Sequence, residues 1–141
     1  RIEMVKISAE ADSFLSSTRI AVISTVDQKG LPHSVPIWYQ WTNGTALMFT
    51  GVKTSKWKNL SQFPFASLCV DLRTPPYKAM IIHGSVEKVN IPIHDFVLNM
   101  ANRYYGSEKG HRFADQYPDG KKDVVIFKLI PNTIIEALEE D

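Results

Sequence analysis

Residues 50–60 read TGVKTSKWKNL and lie between an apolar strand-like run and a short helical pattern. Thr54 or Ser55 stands where the N-cap of that helix belongs, and Lys56 follows in its first turn. The N-terminus of a helix presents unpaired N–H groups and a partial positive charge. Together with the hydroxyl groups of Thr50 and Thr54, these donors predict an anion site, and a phosphate is the anion that suits it.

The competing interpretation of this stretch is a capped surface helix whose lysines are only solvated. Taken alone, this interpretation accounts for most clusters of this kind. Lysine in a first turn is slightly unfavourable beside the helix dipole, which favours a bound anion. Lys58, two positions after Lys56, falls on a different side of the helix and is predicted to face solvent.

Composition places the chain among ordinary globular proteins. It has 141 residues, of which 44% are hydrophobic and 22% are charged, and its formal net charge is +1. This length is typical of one domain, so a single domain over residues 1–141 is expected. The small net charge lacks the basic excess of non-specific nucleic-acid binders, so a nucleic-acid partner is not expected.

The apolar runs and the cysteine count narrow the function classes further. The runs are too short to span a membrane and the first residues contain no signal-peptide core, so a cytoplasmic protein without a membrane partner is expected. Cys69 is the only cysteine, which excludes an intrachain disulfide and a cysteine-rich metal site. Its apolar neighbours predict a small buried side chain.

Hydrophobic spacing and turn residues predict a mainly β chain with short helices. Helices are predicted at residues 8–17, 55–62 and 92–105. Strands are predicted at residues 19–27, 31–41, 45–51, 65–72, 77–89 and 123–131, with residues 133–138 left open as a seventh. Pro32 and Pro36 interrupt the second strand, which indicates a sheet edge or a bulge because proline cannot donate to a ladder.

Apolar residues occur on both faces of several predicted strands, as in RIAVISTV (residues 19–26) and YKAMIIHGSV (residues 77–86). Such strands are covered on both faces, and a chain of this size has few helices to cover them. A small closed barrel with part of its outer face against a second subunit meets this requirement. This solution is preferred, although a sheet covered by helices would also fit.

The order of these segments resembles the pyridoxamine 5′-phosphate oxidase-like, FMN-binding split-barrel superfamily. The similar runs are RIAVISTVDQKGLPHSVPIWY, LMFTGVKTSKWKNLSQFPFASLCVD and PPYKAMIIHGSVEKV. That family carries S-x-K-x-x-N-L, N-P-x-A-x-L and V-x-G-x-V/A-E motifs. Their counterparts are Ser55 followed directly by Lys56, Asn59-Leu60, Phe63-Pro64-Phe65-Ala66 and Gly84-Ser85-Val86-Glu87, and the resemblance covers residues 10–135.

The resemblance implies a mainly β (α+β) fold, a six- to seven-stranded antiparallel split barrel with short flanking helices. It also implies a homodimer that binds two cofactors at its interface. The R-x-V-L-L-K strand and the arginine-rich C-terminal motif of pyridoxamine phosphate oxidases are missing from this sequence, so that activity is not expected. The chain is closer to the flavin and deazaflavin reductase branch, whose cofactor is FMN, FAD or coenzyme F-420.

Site residues follow from the same resemblance. The cofactor phosphate would meet Thr50, Thr54, Ser55 and Lys56. The isoalloxazine ring would lie along Ser34, Val35, Pro36, Ile37 and Trp38. A partner subunit would bring residues near Tyr77 and Trp41.

The implied function is a flavin-dependent oxidoreductase that transfers hydride to or from an unknown small-molecule substrate. The cofactor would carry the chemistry, so no side chain is needed as a catalytic residue. The alternatives are a coenzyme F-420-dependent reductase, a non-catalytic flavin- or haem-binding protein, and a purely structural barrel with an empty pocket.

Other polar residues receive mainly structural interpretations. His94 and His111 stand on polar segments and lack metal-ligand spacing, so no metal site is expected. His33 is interpreted as a surface residue near a turn in preference to a neighbour of the flavin, and His83 as a structural residue within a strand. For Arg19, a cofactor phosphate and a surface carboxylate are equally good partners. Residues 103–113 are interpreted as a helix end with Gly106 as its C-cap, in preference to a loop over the cofactor pocket.

Overall fold

The strand-like runs form seven antiparallel strands and the helical runs form four helices within residues 5–139, which the computed structural model describes. The elements are α1 (Ala9–Ser16), β1 (Ile20–Val26), β2 (Pro32–Trp38), β3 (Gln40–Thr42), β4 (Thr45–Gly51), α2 (Ser55–Gln62), β5 (Phe65–Leu72), β6 (Lys78–Lys88), α3 (Ile93–Tyr105), α4 (Ser107–Ala114) and β7 (Val124–Leu138). The mainly β fold is therefore confirmed.

One curled sheet holds all seven strands in the order β2-β1-β5-β6-β7-β4-β3. Every ladder is antiparallel. Strand twist curls the sheet into a half barrel, so that β2 at one end comes close to β4 near the other. The ring centroids of Trp38 on β2 and Phe49 on β4 are 6.4 Å apart across this seam. The seam is the split that the sequence resemblance implied.

The run predicted as one strand over residues 31–41 is divided into β2 and β3 at Tyr39. The Tyr39 side chain is fully buried, and its hydroxyl donates to the Leu15 carbonyl at 2.8 Å. Its backbone N–H donates to the Tyr104 hydroxyl at 3.1 Å instead of to a strand. Tyr39 therefore lies outside both ladders, and a side chain of α3 bonds its backbone where a neighbouring strand would otherwise do so.

The prediction of a sheet edge at the two prolines is confirmed. Within residues 5–139, β2 pairs only with β1, and Pro36 lies opposite Val22. An edge strand tolerates proline because the missing N–H would face away from the neighbouring strand.

The predicted sixth strand and the open seventh are one continuous strand, β7, with a register shift opposite β6. His83 pairs with Thr133, whereas the next residue, Gly84, pairs with Pro131. A Cβ at position 84 would overlap the Ile130 carbonyl. Only glycine lets the two backbones approach this closely, which gives a packing reason for the glycine in the V-x-G pattern.

Two apolar clusters cover the sheet. The first fills the barrel interior, where Leu15 of α1 and Leu60 of α2 meet buried residues from the strands. The second lies outside the sheet, where α3 and α4 pack on the β4 and β7 side through Phe96, Val97 and Met100.

The α4 helix was missed because residues 103–113 were interpreted as a helix end. Gly106, at φ 84°, ends α3 as predicted, and a new helix begins at the next residue.

Gly84→Ala should lower the free energy of unfolding by about 3 kcal/mol, because the added Cβ forces the backbones of β6 and β7 apart. Gly51→Ala is the matched control, since its Cβ would meet Thr54 and Asp123 only at ordinary distances of 3.5 and 3.7 Å. That change should alter the unfolding free energy by less than about 1 kcal/mol. Urea unfolding followed by tryptophan fluorescence measures the unfolding free energy of both variants. Equal losses in the two variants would contradict the close approach of the β6 and β7 backbones at Gly84.

Candidate functional site

The α2 N-terminus is capped by Thr54. Its backbone is extended (φ −71°, ψ 154°), and its hydroxyl accepts the N–H of Trp57 at 3.3 Å. The sequence did not decide between Thr54 and Ser55 as the N-cap. In the structure Thr54 is the N-cap, and Ser55 is the first helical residue and is exposed. With Thr54 in the serine position, one residue separates it from Lys56, which restores the S-x-K spacing that Ser55 appeared to break.

Three of the predicted phosphate residues form a hydrogen-bonded cluster. The Lys56 ammonium donates to the Thr50 hydroxyl at 2.8 Å, and the hydroxyl oxygens of Thr50 and Thr54 are 3.2 Å apart. Thr54 in turn donates to the Gly51 carbonyl at 2.9 Å. Thr50 is only 6% exposed, so the end of β4 holds the cluster firmly against the start of α2.

The charge of Lys56 is poorly compensated by the protein. Burial lowers the pKa of its ammonium group, and no carboxylate pairs with it anywhere in the described chain. An ammonium group has three N–H donors, of which the Thr50 hydroxyl takes one. A half-buried cation beside a helix N-terminus therefore has donors left for an anion, and the donor set fits a phosphate group.

The other lysines of the stretch do not join the cluster. Lys58 is exposed on the helix, as predicted, and Lys53 is exposed before it. This difference makes Lys58 a natural control for Lys56.

Sequence analysis missed a buried contact that holds α2 in place. The Asn59 side-chain amide donates to the Thr25 hydroxyl at 3.0 Å, and both residues are buried. The available signal was a polar residue beside Leu60 on the buried face of a short helix. Asn59 fixes α2 against β1 and so fixes the Lys56 cluster relative to the sheet.

The five predicted ring-contact residues do not share one face of β2. Strand alternation turns Val35 and Ile37 into the barrel interior, where both pack on the core. Ser34, Pro36 and Trp38 lie on the opposite, outer face, and the Ser34 hydroxyl bonds the Ser24 hydroxyl at 2.8 Å. Only these three side chains can meet a ring from outside, whereas Val35 and Ile37 offer backbone groups.

Trp38 sits among aromatic side chains beside the seam. Its ring stacks on Tyr104, with centroids 4.8 Å apart and planes inclined by 4°, and it contacts Phe113 of α4 at 5.2 Å. An apolar cleft of about 290 Å³ opens beside it. The cleft is lined by Ile20, Pro36, Ile37, Trp38, Phe49 and Phe113. Phe113 was not among the predicted residues because α4 was not recognised.

The residues expected near a partner subunit differ in exposure. Tyr77 is 53% exposed after the β5–β6 turn and lines a separate cleft with Asp71 and Lys78. Trp41 is 7% exposed and donates its indole N–H to Asp12 at 2.8 Å, so it belongs to the core of its own subunit and not to an accessible surface.

The described residues, 5–139, form neither a metal-binding group nor a membrane-spanning helix. Across residues 5–139, no group of three histidine, cysteine, aspartate or glutamate side chains is arranged to hold a metal ion. No helix in that range is long and apolar enough to cross a bilayer.

The sequence matches the family model described as pyridoxamine 5′-phosphate oxidase over residues 7–136, nearly the whole chain. The chain belongs to the pyridoxamine 5′-phosphate oxidase family. No curated protein matches the sequence significantly.

Solved structures with the same fold agree with this family assignment. A conserved hypothetical protein from Mycobacterium tuberculosis is 22% identical, with a TM-score of 0.76 over 99% of this chain and 89% of that one. An F420 reductase is 21% identical, with a TM-score of 0.74 over 92% and 98% of the two chains. HutZ, a haem storage protein from Vibrio cholerae, is 14% identical, with a TM-score of 0.68 over 94% and 96%.

Asn59→Ala should lower the free energy of unfolding of this family member by about 1–3 kcal/mol, because the Thr25 hydroxyl is left buried without its donor. Thr25→Val should lower the free energy of unfolding by a similar amount, because the buried Asn59 amide then lacks its acceptor. The double variant should lose less than the sum of the two, since the remaining group no longer lacks a partner. Chemical denaturation of all three variants tests this coupling, and strictly additive losses would show that the two side chains do not depend on each other.

Proposed function

We propose that this protein is a flavin-dependent oxidoreductase that binds FMN, with the cofactor phosphate at the Lys56 cluster. The observation that carries the proposal is the half-buried Lys56 ammonium, which bonds a threonine hydroxyl and has no carboxylate partner in the described chain. Desolvating an ammonium group without an opposite charge is costly, and an anionic ligand removes that cost. Family membership supports the same ligand class.

The chain's own residues bind and orient the cofactor in this proposal. Lys56, Thr50 and Thr54 hold the phosphate, and the outer face of β2 at Ser34, Pro36 and Trp38 supports the ring. A bound flavin supplies hydride transfer, so the protein needs no general acid or base of its own. The aromatic residues around Trp38 keep water from that side of the ring.

Coenzyme F-420 is the alternative cofactor, and the similarity to an F420 reductase favours it. Both cofactors present a phosphate and a tricyclic ring, so the Lys56 cluster suits either one. Pyridoxamine phosphate oxidation itself is not proposed, because the R-x-V-L-L-K strand of those oxidases has no counterpart in residues 1–141.

Haem binding without turnover is the second candidate function, favoured by the similarity to HutZ. An exposed histidine such as His33 or His83 could offer an axial ligand. The absorbance spectrum of the purified protein distinguishes the two candidates, because a Soret band indicates bound haem and the two-band visible spectrum of a flavin indicates bound flavin.

A homodimer is part of the proposal. The outer face of β1, β5 and the C-terminal half of β7 has no helix over it within residues 5–139, and it carries large exposed apolar side chains. Phe65 is 61% exposed, Ile20 49% and Ile135 48%. An apolar face of this extent is typical of a subunit interface, and an obligate dimer would bury on the order of 2,000 Å² or more.

Lys56→Ala should weaken FMN binding by roughly 10- to 100-fold, because one hydrogen bond to a charged phosphate is lost. Lys58→Ala should leave the affinity unchanged, since Lys58 is exposed outside the cluster. Titration of FMN into the cofactor-free variants, followed by quenching of flavin fluorescence, measures both. Equal affinities for the two variants would overturn the phosphate site, and failure of the wild-type protein to bind any flavin would overturn the function.

Phe65→Glu should convert the protein to a monomer, because it replaces a large exposed apolar side chain of the uncovered sheet face with a charge. Leu31→Glu is the matched control, since Leu31 is 60% exposed but lies before β2, away from that face. Sedimentation equilibrium at micromolar concentration reports the mass of each variant. A wild-type monomer, or an undisturbed Phe65→Glu dimer, would contradict this interface.

A further inference from the structure

Two neighbouring clefts run together on the outer side of β1 and β2. The apolar cleft beside Trp38 and a second cleft of about 460 Å³ share Ile20 and Pro36 in their walls. The second cleft is lined by Thr18, Arg19, Ile20, Val22, Pro36, Asp71 and Arg73. We call the combined cavity the β1–β2 groove, which is aromatic at the Trp38 end and charged at the Arg19 end.

Arg19 is held rigidly at its end of the groove. Its Nε donates to the Phe14 carbonyl at 3.1 Å, and its Cζ lies 3.8 Å from the centroid of the Phe14 ring. Its two terminal nitrogens make no hydrogen bond to any residue in the range 5–139. The guanidinium is therefore fixed by its inner nitrogen and by stacking, while its outer fork remains available for a ligand.

The charge of Arg19 is not balanced within the groove. Asp71 is the one carboxylate in the wall, and it pairs with Arg73 at 3.1 Å. Arg73 is also largely exposed, with 81% of its side chain accessible. With two arginines and one aspartate, the groove has a net charge of +1, and Arg19 carries the uncompensated part. Within residues 5–139 no carboxylate pairs with Arg19, so the surface ion pair considered from the sequence is not formed there, whereas its contact with a cofactor phosphate stays a prediction.

We propose that the β1–β2 groove is the substrate subsite, that it takes a planar apolar molecule carrying one carboxylate, and that Arg19 pairs with that carboxylate. This proposal rests on the proposed function, because Pro36 lies both in the groove and on the face assigned to the cofactor ring. Ile20 lies both in the groove and on the sheet face assigned to the dimer, so the groove borders the proposed subunit interface. The aromatic end accepts the planar part of the molecule next to the ring. The guanidinium fork matches a carboxylate through two parallel hydrogen bonds, which a neutral group cannot reproduce.

The test uses 2-naphthoate as the probe and 2-naphthylmethanol as its uncharged counterpart. Isothermal titration calorimetry measures each against the protein as purified and against the protein saturated with FMN. We expect naphthoate to bind at least about 10-fold more tightly than the alcohol, because only its carboxylate pairs with Arg19. Naphthoate should bind without displacing FMN and should perturb the flavin absorbance.

Variants assign the selectivity to Arg19. Arg19→Gln should weaken naphthoate binding by about 10- to 100-fold and leave the alcohol unchanged, and Arg19→Lys should recover part of the loss. Arg112→Gln removes the same charge from α4, where Arg112 pairs with Glu108 outside the groove, and should have no effect. Arg19→Gln should keep the FMN affinity of the wild type, which separates this site from the Lys56 cluster.

Three results would overturn the proposal: equal binding of the two probes by the wild type, an unchanged naphthoate affinity in Arg19→Gln, or displacement of FMN by naphthoate. The comparison of the two probes in the wild-type protein stands even if a variant does not fold. Selective naphthoate binding by a protein that binds no flavin would reject the proposed function but retain the anion subsite.

Discussion

The hydroxyl of Tyr104 ties α3 to the point where the chain leaves β2, and the arrangement of the seam depends on it. It accepts the backbone N–H of Tyr39 at 3.1 Å and donates to the carbonyl of Arg19 at 2.6 Å. Burial raises the pKa of Tyr104, which keeps the group a neutral donor. One side chain thereby bonds the N–H of Tyr39 and the carbonyl of Arg19, two backbone groups that have no partner on a neighbouring strand.

The consequences of this contact extend to both candidate sites. Because the chain turns at Tyr39, β3 and β4 fold back and bring Phe49 towards Trp38, which stacks on the Tyr104 ring itself. Thr50 follows Phe49 and faces the opposite side of β4, where it meets Lys56. The Arg19 carbonyl accepts the hydrogen bond from Tyr104, and Arg19 itself lines one end of the β1–β2 groove. The Lys56 cluster follows β4 and the β1–β2 groove begins beside Arg19, so the same junction positions both candidate sites.

Two cations in this protein are held without a carboxylate partner in the described chain, in different environments. Lys56 is half-buried and bonds a hydroxyl, and Arg19 stacks on Phe14 and bonds a carbonyl. Neutral partners fix the position of a cation without cancelling its charge, which leaves the charge available to a ligand. Arg112 and Glu108 show the contrast, since that exposed pair contributes little beyond local helix stability.

Local sequence was enough to predict most of the elements. The α2 helix over residues 55–62 and the end of α3 at Gly106 both follow from residues that act on the backbone next to them. The motif order also predicted the split-barrel family, which the comparisons confirm. The α4 helix was missed because its start at Ser107 has no side-chain cap and its packing depends on Gly110 lying against Asn102 of α3.

What the sequence determined by itself was the gathering of hydrogen-bond donors at the start of α2, because the N-cap, the first turn and the hydroxyl groups lie within seven residues of one another. Only the tertiary structure decided which residues of β2 face outward, since strand phase is set by pairing with β1 and not by the apolar residues at positions 35–38. It also decided the partners of Asn59 and Arg19. Thr25 and Asn59 are 34 positions apart. Contacts between residues distant in sequence depend on how the whole sheet curls, and no local pattern encodes that curvature.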